Sequence, residues 1–421
     1  MKPLVEPSAT LTNADIHRYG RHLIMPEFGI DGQRRLKASS ILLIGTGGLG
    51  SPLALYLTAA GVGRIGLVDY DTVDETNLQR QIIHGVSSIG KSKNESAAAR
   101  MLDINPNLII DKYEVPLTSD NALEIFEPYD VIIDGTDNFP TRYLVNDACV
   151  KLGKPNVYGS ILRFEGQLSV FYAEAGPCYR CMFPEPPPPG LVPSCAEGGV
   201  LGILPGTIGT LQATEAIKLI AGIGDPMIGR MLLYDALEMS FTTIKVRKNP
   251  NCPVCSIPRE QVELIDYEQF CGMPAHDHVP VRLDVSELSE NGVAPEDLPT
   301  PIITSVELKG RFDAGDDLFV LDVRNPEEIA ISAITHHLEI PKPRIIVAVE
   351  QVKSGQAALV DTVLNAIPRD REVIVYCRSQ QRSGQVIDAL REIGFDPTKL
   401  VLLQGGITEW AHTVDRSMPV Y

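Results

Sequence analysis

The sequence predicts an α/β protein with a doubly wound, mostly parallel sheet, followed by a smaller α/β domain. Short apolar runs alternate with stretches of helical spacing, which is typical of parallel strands joined by helices. A segment rich in Pro, Glu, Asp and Ser interrupts the pattern, which resumes at Ile302. The 421 residues also exceed one ordinary domain. We therefore expect domains at 1–273 and 302–421, joined by a linker at 274–301.

Local patterns predict the elements of the first domain. Short apolar runs indicate buried strands, and these runs lie at 40–44, 65–69 and 131–134. A helix is expected over 51–60, because Gly61 provides a stop signal. Farther along, 167–172 alternates like a strand and 207–221 has helical spacing.

The second domain repeats the strand and helix pattern. Strands are expected at 318–323 and 372–376, and a helix at 385–392.

Composition and charge disfavour several classes of function. The net charge of −17 provides no diffuse basic surface for nucleic acid or an anionic membrane. The sequence contains no apolar run of about 18 residues, and its N-terminus lacks the features of a signal peptide. We therefore expect a cytoplasmic protein without nucleic-acid or membrane partners.

A glycine-rich loop follows the first predicted strand. Gly45, Gly47 and Gly50 fit the pattern GxGxxG, in which glycine permits a tight turn and close approach of the backbone to phosphate. Asp69, at the end of the next strand, can accept hydrogen bonds from a ribose. The loop alone leaves NAD, FAD, another nucleotide and a purely structural turn open.

Charged residues after the loop favour ATP. Arg80 and Lys93 can neutralise a triphosphate, and Asp137, at the C-terminal end of a strand, can hold Mg²⁺. A nicotinamide enzyme needs neither feature. Each charged residue taken alone is also compatible with a solvated surface position, so the inference rests on the set.

The segment from Arg18 to Cys255 resembles the MoeB/ThiF adenylyltransferases, which are relatives of ubiquitin-activating enzymes. The resemblance rests on GTGGLG, VDYD, TNLQRQ, KSK and TDN, which occur in the order of that family. It implies a Rossmann-like domain of the ubiquitin-activating type that binds ATP and Mg²⁺. It also implies a homodimer in which Arg21 reaches the partner's active site. The implied ATP ligands are Gly48, Asp69, Asn77, Arg80, Lys93 and Asp137, with Asn138 beside them.

Four of the eight cysteines form two CxxC pairs. They are Cys178 with Cys181, and Cys252 with Cys255. Without a secretion signal, such pairs favour metal ligands over disulfides, and a Cys₄ set suits Zn²⁺. The alternative is four buried or redox-active thiols. A site with four protein ligands leaves no open position, so the predicted zinc is structural.

Cys195 lies in Pro193–Gly199, after a proline run. A cysteine in such a loop is a candidate nucleophile, and the family resemblance implies attack on the adenylate or participation in a thioester or acyl disulfide. A passive loop thiol is the alternative, because no neighbouring base is evident in the sequence.

Cys377 heads the loop Cys-Arg-Ser-Gln-Gln-Arg-Ser-Gly between a predicted strand and helix. Backbone N–H groups, the helix dipole and the arginines Arg378 and Arg382 are expected to stabilise its thiolate. With LDVR at 321–324 and QGGITEW at 404–410, residues 302–421 resemble rhodanese, which implies a cysteine persulfide. Four residues separate Cys377 from Arg382, whereas phosphatases of the related fold have five. The spacing thus favours sulfur over phosphate, with a phosphatase or an inactive domain as alternatives.

The two resemblances together predict an adenylyltransferase and sulfurtransferase. The implied substrate is the C-terminal Gly-Gly carboxylate of a small ubiquitin-like sulfur carrier, resembling MoaD or ThiS. A sulfur donor such as a cysteine desulfurase is the second implied partner. Molybdopterin synthesis is the first expectation for the pathway, with thiamine, cysteine or tRNA thiolation as alternatives. An NAD-dependent oxidoreductase and a zinc-stabilised docking scaffold are the rival classes.

Overall fold

The computed structural model describes residues 2–188, 198–273, 275 and 300–420. The chain divides into two compact units, residues 1–280 and 281–421, and each is considered by itself. The division falls within the segment predicted as a linker. Most of that segment lies outside the described residues, so the linker and the exact domain limits stay predictions.

Unit 1 contains a mixed sheet with eight strands among the described residues. They are β1 (Ser40–Ile44), β2 (Arg64–Val68), β3 (Ile109–Tyr113), β4 (Val131–Asp134), β5 (Asn156–Leu162), β6 (Glu165–Phe171), β7 (Arg230–Asp235) and β8 (Ser240–Lys245). Their order is β3-β2-β1-β4-β5-β6-β7-β8. The first five are parallel, and β6, β7 and β8 are added antiparallel. The predicted doubly wound, mostly parallel sheet is confirmed.

Helices cover both faces of this sheet. They are α1 (Asn13–Leu23), α2 (Gly29–Ala38), α3 (Gly50–Ala60), α4 (Lys93–Ile104), α5 (Ala122–Phe126), α6 (Phe139–Leu152), α7 (Tyr179–Met182), α8 (Leu204–Ala221) and α9 (Tyr267–Cys271). Successive strand residues point to opposite faces. Leu43 therefore packs with Leu53 of α3, whereas Leu42 packs with Leu144 of α6. Burial on both faces explains why β1 is a continuous apolar run.

The strand order of the sheet changes direction between the neighbouring strands β1 and β4. From β1 the chain proceeds through β2 to β3 on one side, and it then returns to place β4 on the other side. At such a switch point the loops after the two strands diverge and leave a crevice at the carboxyl edge, where ligands of open α/β sheets bind. The loop at 45–50 and the loop at 135–138 both lie here.

Unit 2 is a smaller parallel sheet with helices on both faces. Its strands are β9 (Ile302–Ile303), β10 (Phe319–Asp322), β11 (Leu338–Glu339), β12 (Val373–Tyr376) and β13 (Leu400–Leu403), in the order β11-β10-β12-β13-β9. Its helices are α10 (Ser305–Ala314), α11 (Pro326–Ile329), α12 (Lys342–Lys353), α13 (Gln381–Glu392) and α14 (Gly406–Thr413). Helix α13 begins at Gln381, four residues earlier than its predicted start.

Unit 2 has a switch point of its own. From β10 the chain moves outward to the edge strand β11 and then returns to β12 on the other side of β10. The loops after β10 and β12 therefore flank one crevice. Among the helices of both units, within the described residues, none is long and apolar enough to cross a bilayer.

Candidate active sites

The glycine loop of unit 1 turns sharply from β1 into α3. Gly45 has φ of 91°, a left-handed conformation that favours glycine. A Cβ on Gly50 would lie 2.2 Å from the Gly45 carbonyl oxygen, so no side chain fits there. The loop thus brings the N-terminus of α3 against the end of β1, and Gly45, Gly47 and Gly48 remain partly exposed. This arrangement suits phosphate, as the sequence predicted.

Asp69 lies directly after β2 and fixes the glycine loop. Its Oδ2 accepts hydrogen bonds from the Thr46 N–H and hydroxyl, at 2.8 and 3.0 Å. Its Oδ1 accepts from the Asp71 N–H at 3.0 Å. Each carboxylate oxygen has two lone pairs, so these contacts leave acceptor capacity for a ribose. The carboxylate therefore positions the loop and lies directly beside it.

Two cationic side chains lie beside the loop. A Cβ on Gly48 would be 3.9 Å from Cγ of Arg80, which places the stem of this arginine against the loop. Lys93 is buried at the start of α4, and its Nζ is 2.7 Å from Oδ2 of Asp71. The sequence analysis missed Asp71, which orients Lys93. The VDYD motif was the available signal, because it carries a second acid two residues after Asp69.

Asn77 and Asn138 both have local structural partners. Oδ1 of Asn77 accepts a hydrogen bond from the Asp74 N–H at 3.2 Å. Asn138 caps α6, because its Oδ1 accepts from the Thr141 N–H at 2.9 Å. Both residues therefore stabilise turns at the carboxyl edge.

The loop after β4 is held against the glycine loop. The Gly135 N–H donates to the Ile44 carbonyl at 3.0 Å, and Asp137, two residues later, is exposed. The predicted magnesium ligand thus has an accessible carboxylate at the switch point. Arg21 is also exposed, in the last turn of α1. The contact with a second subunit that was predicted for Arg21 stays a prediction.

His84 is a buried residue of this region that the sequence analysis did not identify. Its Nε2 is 3.1 Å from the Thr46 carbonyl oxygen and its Nδ1 is 2.9 Å from the Ser96 hydroxyl. The only signal was its position just after the TNLQRQ motif.

The two CxxC pairs form one cluster. The four sulfurs all lie within 4.8 Å of one another. The Sγ–Sγ distances are 3.9 Å for Cys178–Cys181, 3.5 Å for Cys178–Cys252 and 3.3 Å for Cys181–Cys255. Tetrahedral zinc with Zn–S bonds of about 2.3 Å requires sulfurs about 3.8 Å apart, whereas a disulfide requires about 2.05 Å. The cluster fits a tetrahedral metal ion and not a disulfide pair. Cys195, the candidate nucleophile, lies outside the described residues.

Cys377 directly follows β12 at the switch point of unit 2. Its side chain is buried, and its Sγ is 3.5 Å from the Ser383 hydroxyl. The Cys377 carbonyl accepts a hydrogen bond from the Ile407 N–H at 2.9 Å. A Cβ on Gly406 would lie 2.5 Å from this carbonyl oxygen, so the close approach of α14 requires glycine. The thiol therefore sits at the base of a compact loop.

The second arginine of the Cys377 loop has a carboxylate partner. Arg382 donates to both oxygens of Glu328, each at 2.6 Å. On the opposite side of the crevice, Arg324 is fully buried and paired with Asp322 at 2.6 Å. The Arg382 charge that was expected to stabilise the Cys377 thiolate is thus shared with Glu328, which the sequence analysis missed.

Comparisons with known proteins agree with this geometry. The family model described as "ThiF family" matches residues 19–254, which is more than half of the chain. The chain belongs to the ThiF family. A second model, the rhodanese-like domain, matches residues 304–413, which include Cys377 and Arg382.

Two relatives illustrate the two parts of the chain. A "Probable adenylyltransferase/sulfurtransferase MoeZ" from Mycobacterium tuberculosis is 47% identical, over 100% of this chain and 99% of its own length. A "Sulfur carrier protein adenylyltransferase" from Thermus thermophilus is 53% identical over 62% of this chain and 98% of its own length. The predicted enzyme classes, adenylyltransferase and sulfurtransferase, are confirmed by these relatives together with the two family models. The adenylyltransferase class implies the use of ATP.

Solved structures support the fold of the ThiF-type unit. A crystal structure of E. coli MccB with MccA-N7isoASN aligns with a TM-score of 0.53 and 20% identity. It covers 58% of this chain and 76% of that chain. At this identity the likeness concerns the fold alone.

Proposed function

We propose that this enzyme adenylates the C-terminal glycine carboxylate of a ubiquitin-like sulfur carrier and then converts it to a thiocarboxylate with sulfur from Cys377. The observation that carries the proposal is the pairing of two switch points in one chain. One presents a glycine loop with Asp69, Arg80 and Lys93 at its edge, and the other presents the buried thiol of Cys377. The enzyme classes follow from the family, and we assign the two reactions to the residues of these two sites.

Adenylation needs positioning and charge rather than a protein nucleophile. An oxygen of the carrier carboxylate attacks the α-phosphorus of ATP, and the bond to the β-phosphate oxygen breaks, so pyrophosphate leaves. The N–H groups of the glycine loop and the cations Arg80, Lys93 and Arg21 stabilise the negative charge that develops. Mg²⁺ bound with ATP supplies further positive charge, and the exposed Asp137 carboxylate is its proposed ligand.

Sulfur transfer follows on the acyl adenylate. The terminal sulfur of a Cys377 persulfide attacks the activated carbonyl carbon and AMP leaves, which gives an acyl disulfide between carrier and Cys377. A thiolate, for which Cys195 is the candidate, then attacks the Cys377 sulfur. The carrier leaves as a thiocarboxylate, and a Cys195–Cys377 disulfide forms. Two equivalents of a cellular thiol, or one dithiol, must reduce this disulfide with two electrons and two protons before the next cycle.

The persulfide is supplied by a sulfur donor, for which a cysteine desulfurase fits the chemistry. The rhodanese-like domain is the proposed acceptor of this sulfur, because Cys377 directly follows β12 at the carboxyl edge of its parallel sheet. Molybdopterin synthesis is the proposed pathway, with thiamine, cysteine or tRNA thiolation as alternatives.

The cysteine cluster is proposed to hold a structural Zn²⁺ ion. Cys178 caps the N-terminus of the short helix α7 and Cys181 lies within it, whereas Cys252 and Cys255 follow β8. A metal bound by all four would tie these distant segments together. Four thiolates complete a tetrahedral shell, so the ion would take no part in adenylation.

A homodimer in the cytoplasm is the proposed state of the enzyme. Large apolar side chains near Arg21 in the sequence are exposed on α1, directly after α1 and on α2. They are Ile16, Ile24, Met25 and Ile30. Neighbouring exposed apolar residues indicate a contact surface, and a symmetric dimer would place Arg21 of each subunit at the partner's surface.

Exchange of ³²P-pyrophosphate into ATP tests the proposed substrate. The full-length enzyme is incubated with purified carriers that end in Gly-Gly and with the same carriers lacking the last glycine. We expect exchange with an intact carrier and none with the truncated ones. Absence of exchange with every Gly-Gly carrier would overturn the proposal. A nicotinamide oxidoreductase would instead bind NAD, and a docking scaffold would bind carriers without exchange in both wild-type and Asp137→Asn forms.

A further inference from the structure

Thr46, the second residue of the glycine loop, is held at both its amide and its carbonyl. Its N–H and hydroxyl donate to Asp69 at 2.8 and 3.0 Å. Its carbonyl oxygen accepts from Nε2 of His84 at 3.1 Å. His84 is 7% exposed, so this contact is shielded from water. A backbone group that is bonded on both sides has little freedom to reorient.

The contacts of His84 define its tautomer. A carbonyl can only accept a hydrogen bond, so Nε2 must carry the proton that Thr46 receives. The Ser96 hydroxyl, 2.9 Å from Nδ1, then donates to the unprotonated nitrogen. Burial lowers the pKa of His84, and the nearby charge of Lys93 lowers it further, against opposing contributions from the Thr46 bond and Asp69. The ring is therefore neutral near pH 7, with Ser96 fixing which nitrogen holds the proton.

The loop after β4 is held in the same way. The N–H and hydroxyl of Thr136 donate to Oδ1 of Asp134 at 2.9 and 2.6 Å. Its carbonyl oxygen accepts from Nη2 of Arg142 at 3.3 Å. Each of the two loops at the switch point thus has a threonine whose amide side meets a carboxylate and whose carbonyl meets a buried side chain. The repetition indicates that rigid placement of both loops matters to the crevice.

The planarity of the peptide bond connects His84 to the nucleotide. The Thr46 carbonyl and the Gly47 N–H belong to one peptide unit and point in opposite directions. A donor that holds the carbonyl on one side therefore directs the N–H to the other side. We propose that His84 is a positioning residue for adenylation, which orients the Thr46–Gly47 peptide so that the Gly47 N–H faces the ATP phosphates. This inference rests on the proposed function of the glycine loop.

Two substitutions at His84 separate positioning from mere packing. His84→Leu fills similar space and removes the donor, whereas His84→Gln keeps a nitrogen donor the same number of bonds from Cβ as Nε2. Ser96→Ala leaves the ring in place but removes the hydroxyl that fixes which ring nitrogen carries the proton. His412→Gln, at an exposed position in unit 2, is the matched control. Thermal unfolding of each variant checks that it folds.

The readouts are direct ATP binding by calorimetry and the KM and kcat of pyrophosphate exchange. For His84→Leu we expect ATP binding to weaken and KM for ATP to rise by about tenfold, the cost of one lost buried hydrogen bond. His84→Gln is expected to recover most of this loss, and Ser96→Ala to lie between the two. His412→Gln should match the wild type. Persulfide formation on Cys377 should be equal in all variants.

Two results would overturn the inference. One is unchanged ATP affinity and KM in a folded His84→Leu enzyme. The other is a loss that His84→Gln shares in full, because the ring rather than the donor would then matter. Failure of the proposed function is distinguishable, since it would be seen as wild-type enzyme that binds ATP without exchange on any carrier.

Discussion

Glu328 and Arg382 form a bidentate ion pair across the switch point of the rhodanese-like unit. Both hydrogen bonds measure 2.6 Å, and the side chains are 16% and 8% exposed. Glu328 belongs to α11, after β10, and Arg382 belongs to the first turn of α13, after β12. The pair therefore ties the Cys377 loop to the neighbouring strand end.

Removing the carboxylate of Glu328 should destabilise unit 2. Glu328→Gln removes the carboxylate charge that pairs with a largely buried arginine, which costs about 3 kcal/mol. Urea unfolding can be followed by the fluorescence of Trp410, the single tryptophan of the chain, which lies in α14. Glu327→Gln, at the exposed neighbouring position, is the control and should change stability by less than about 0.5 kcal/mol. Equal stability of the two variants would contradict a stabilising role for the pair.

The same pair gives unit 2 a predictable dependence on pH. Burial opposes ionisation of Glu328, but the hydrogen bonds from Arg382 and the Asn325 N–H prevail and lower its pKa below 4.5. The unfolded chain then binds more protons than the folded one in this range, so stability falls as pH falls. The stabilisation is complete above about pH 4.5 and is lost as the pH passes below the folded pKa. Acid titration of Trp410 fluorescence should show this loss, and Glu328→Gln should remove that part of it.

Zinc should be lost when one ligand of the cluster is replaced. Cys252 is fully buried among the other sulfurs, and Cys252→Ser supplies a hydroxyl, which is a poor ligand beside thiolates. We expect one zinc ion per chain in the wild type and none in this variant, with a lower melting temperature for unit 1. Cys377→Ser should keep its zinc. Elemental analysis decides the matter, and a metal-free wild type of unchanged stability would refute the structural zinc.

Complementation between two inactive variants can test the role of Arg21. If Arg21 acts on the partner's ATP site, Arg21→Ala and Asp137→Ala should each abolish exchange. Mixed dimers of the two contain one intact site, so random mixing should restore about a quarter of the wild-type rate. Co-expression with two tags allows the mixed dimers to be purified. Activity no higher than that of the parents would show that Arg21 and Asp137 serve the same subunit.

Features encoded by short contiguous motifs could be predicted from the sequence, whereas contacts between distant residues could not. The glycine loop, the CxxC pairs and the Cys377 loop are short contiguous motifs, and the structure places them where the motifs require. In the hairpin of β7 and β8, β8 was missed because it is mostly exposed and lacks a continuous apolar run. The apolar run of β7, residues 231–234, was an available signal that the sequence analysis did not use. The Glu328–Arg382 pair joins residues 54 positions apart, so it arises only when the switch point forms. No local pattern records such a contact.

The central claim is that Cys377 transfers sulfur to the carrier that the ThiF-type unit adenylates. Production of carrier thiocarboxylate tests this claim most directly. Wild type and Cys377→Ala are each given ATP, a Gly-Gly carrier and a desulfurase with cysteine, and the carrier is analysed by intact mass. We expect thiocarboxylate only from the wild type, while Cys377→Ala still releases pyrophosphate and accumulates the acyl adenylate. Formation of thiocarboxylate by Cys377→Ala at the wild-type rate would contradict the account.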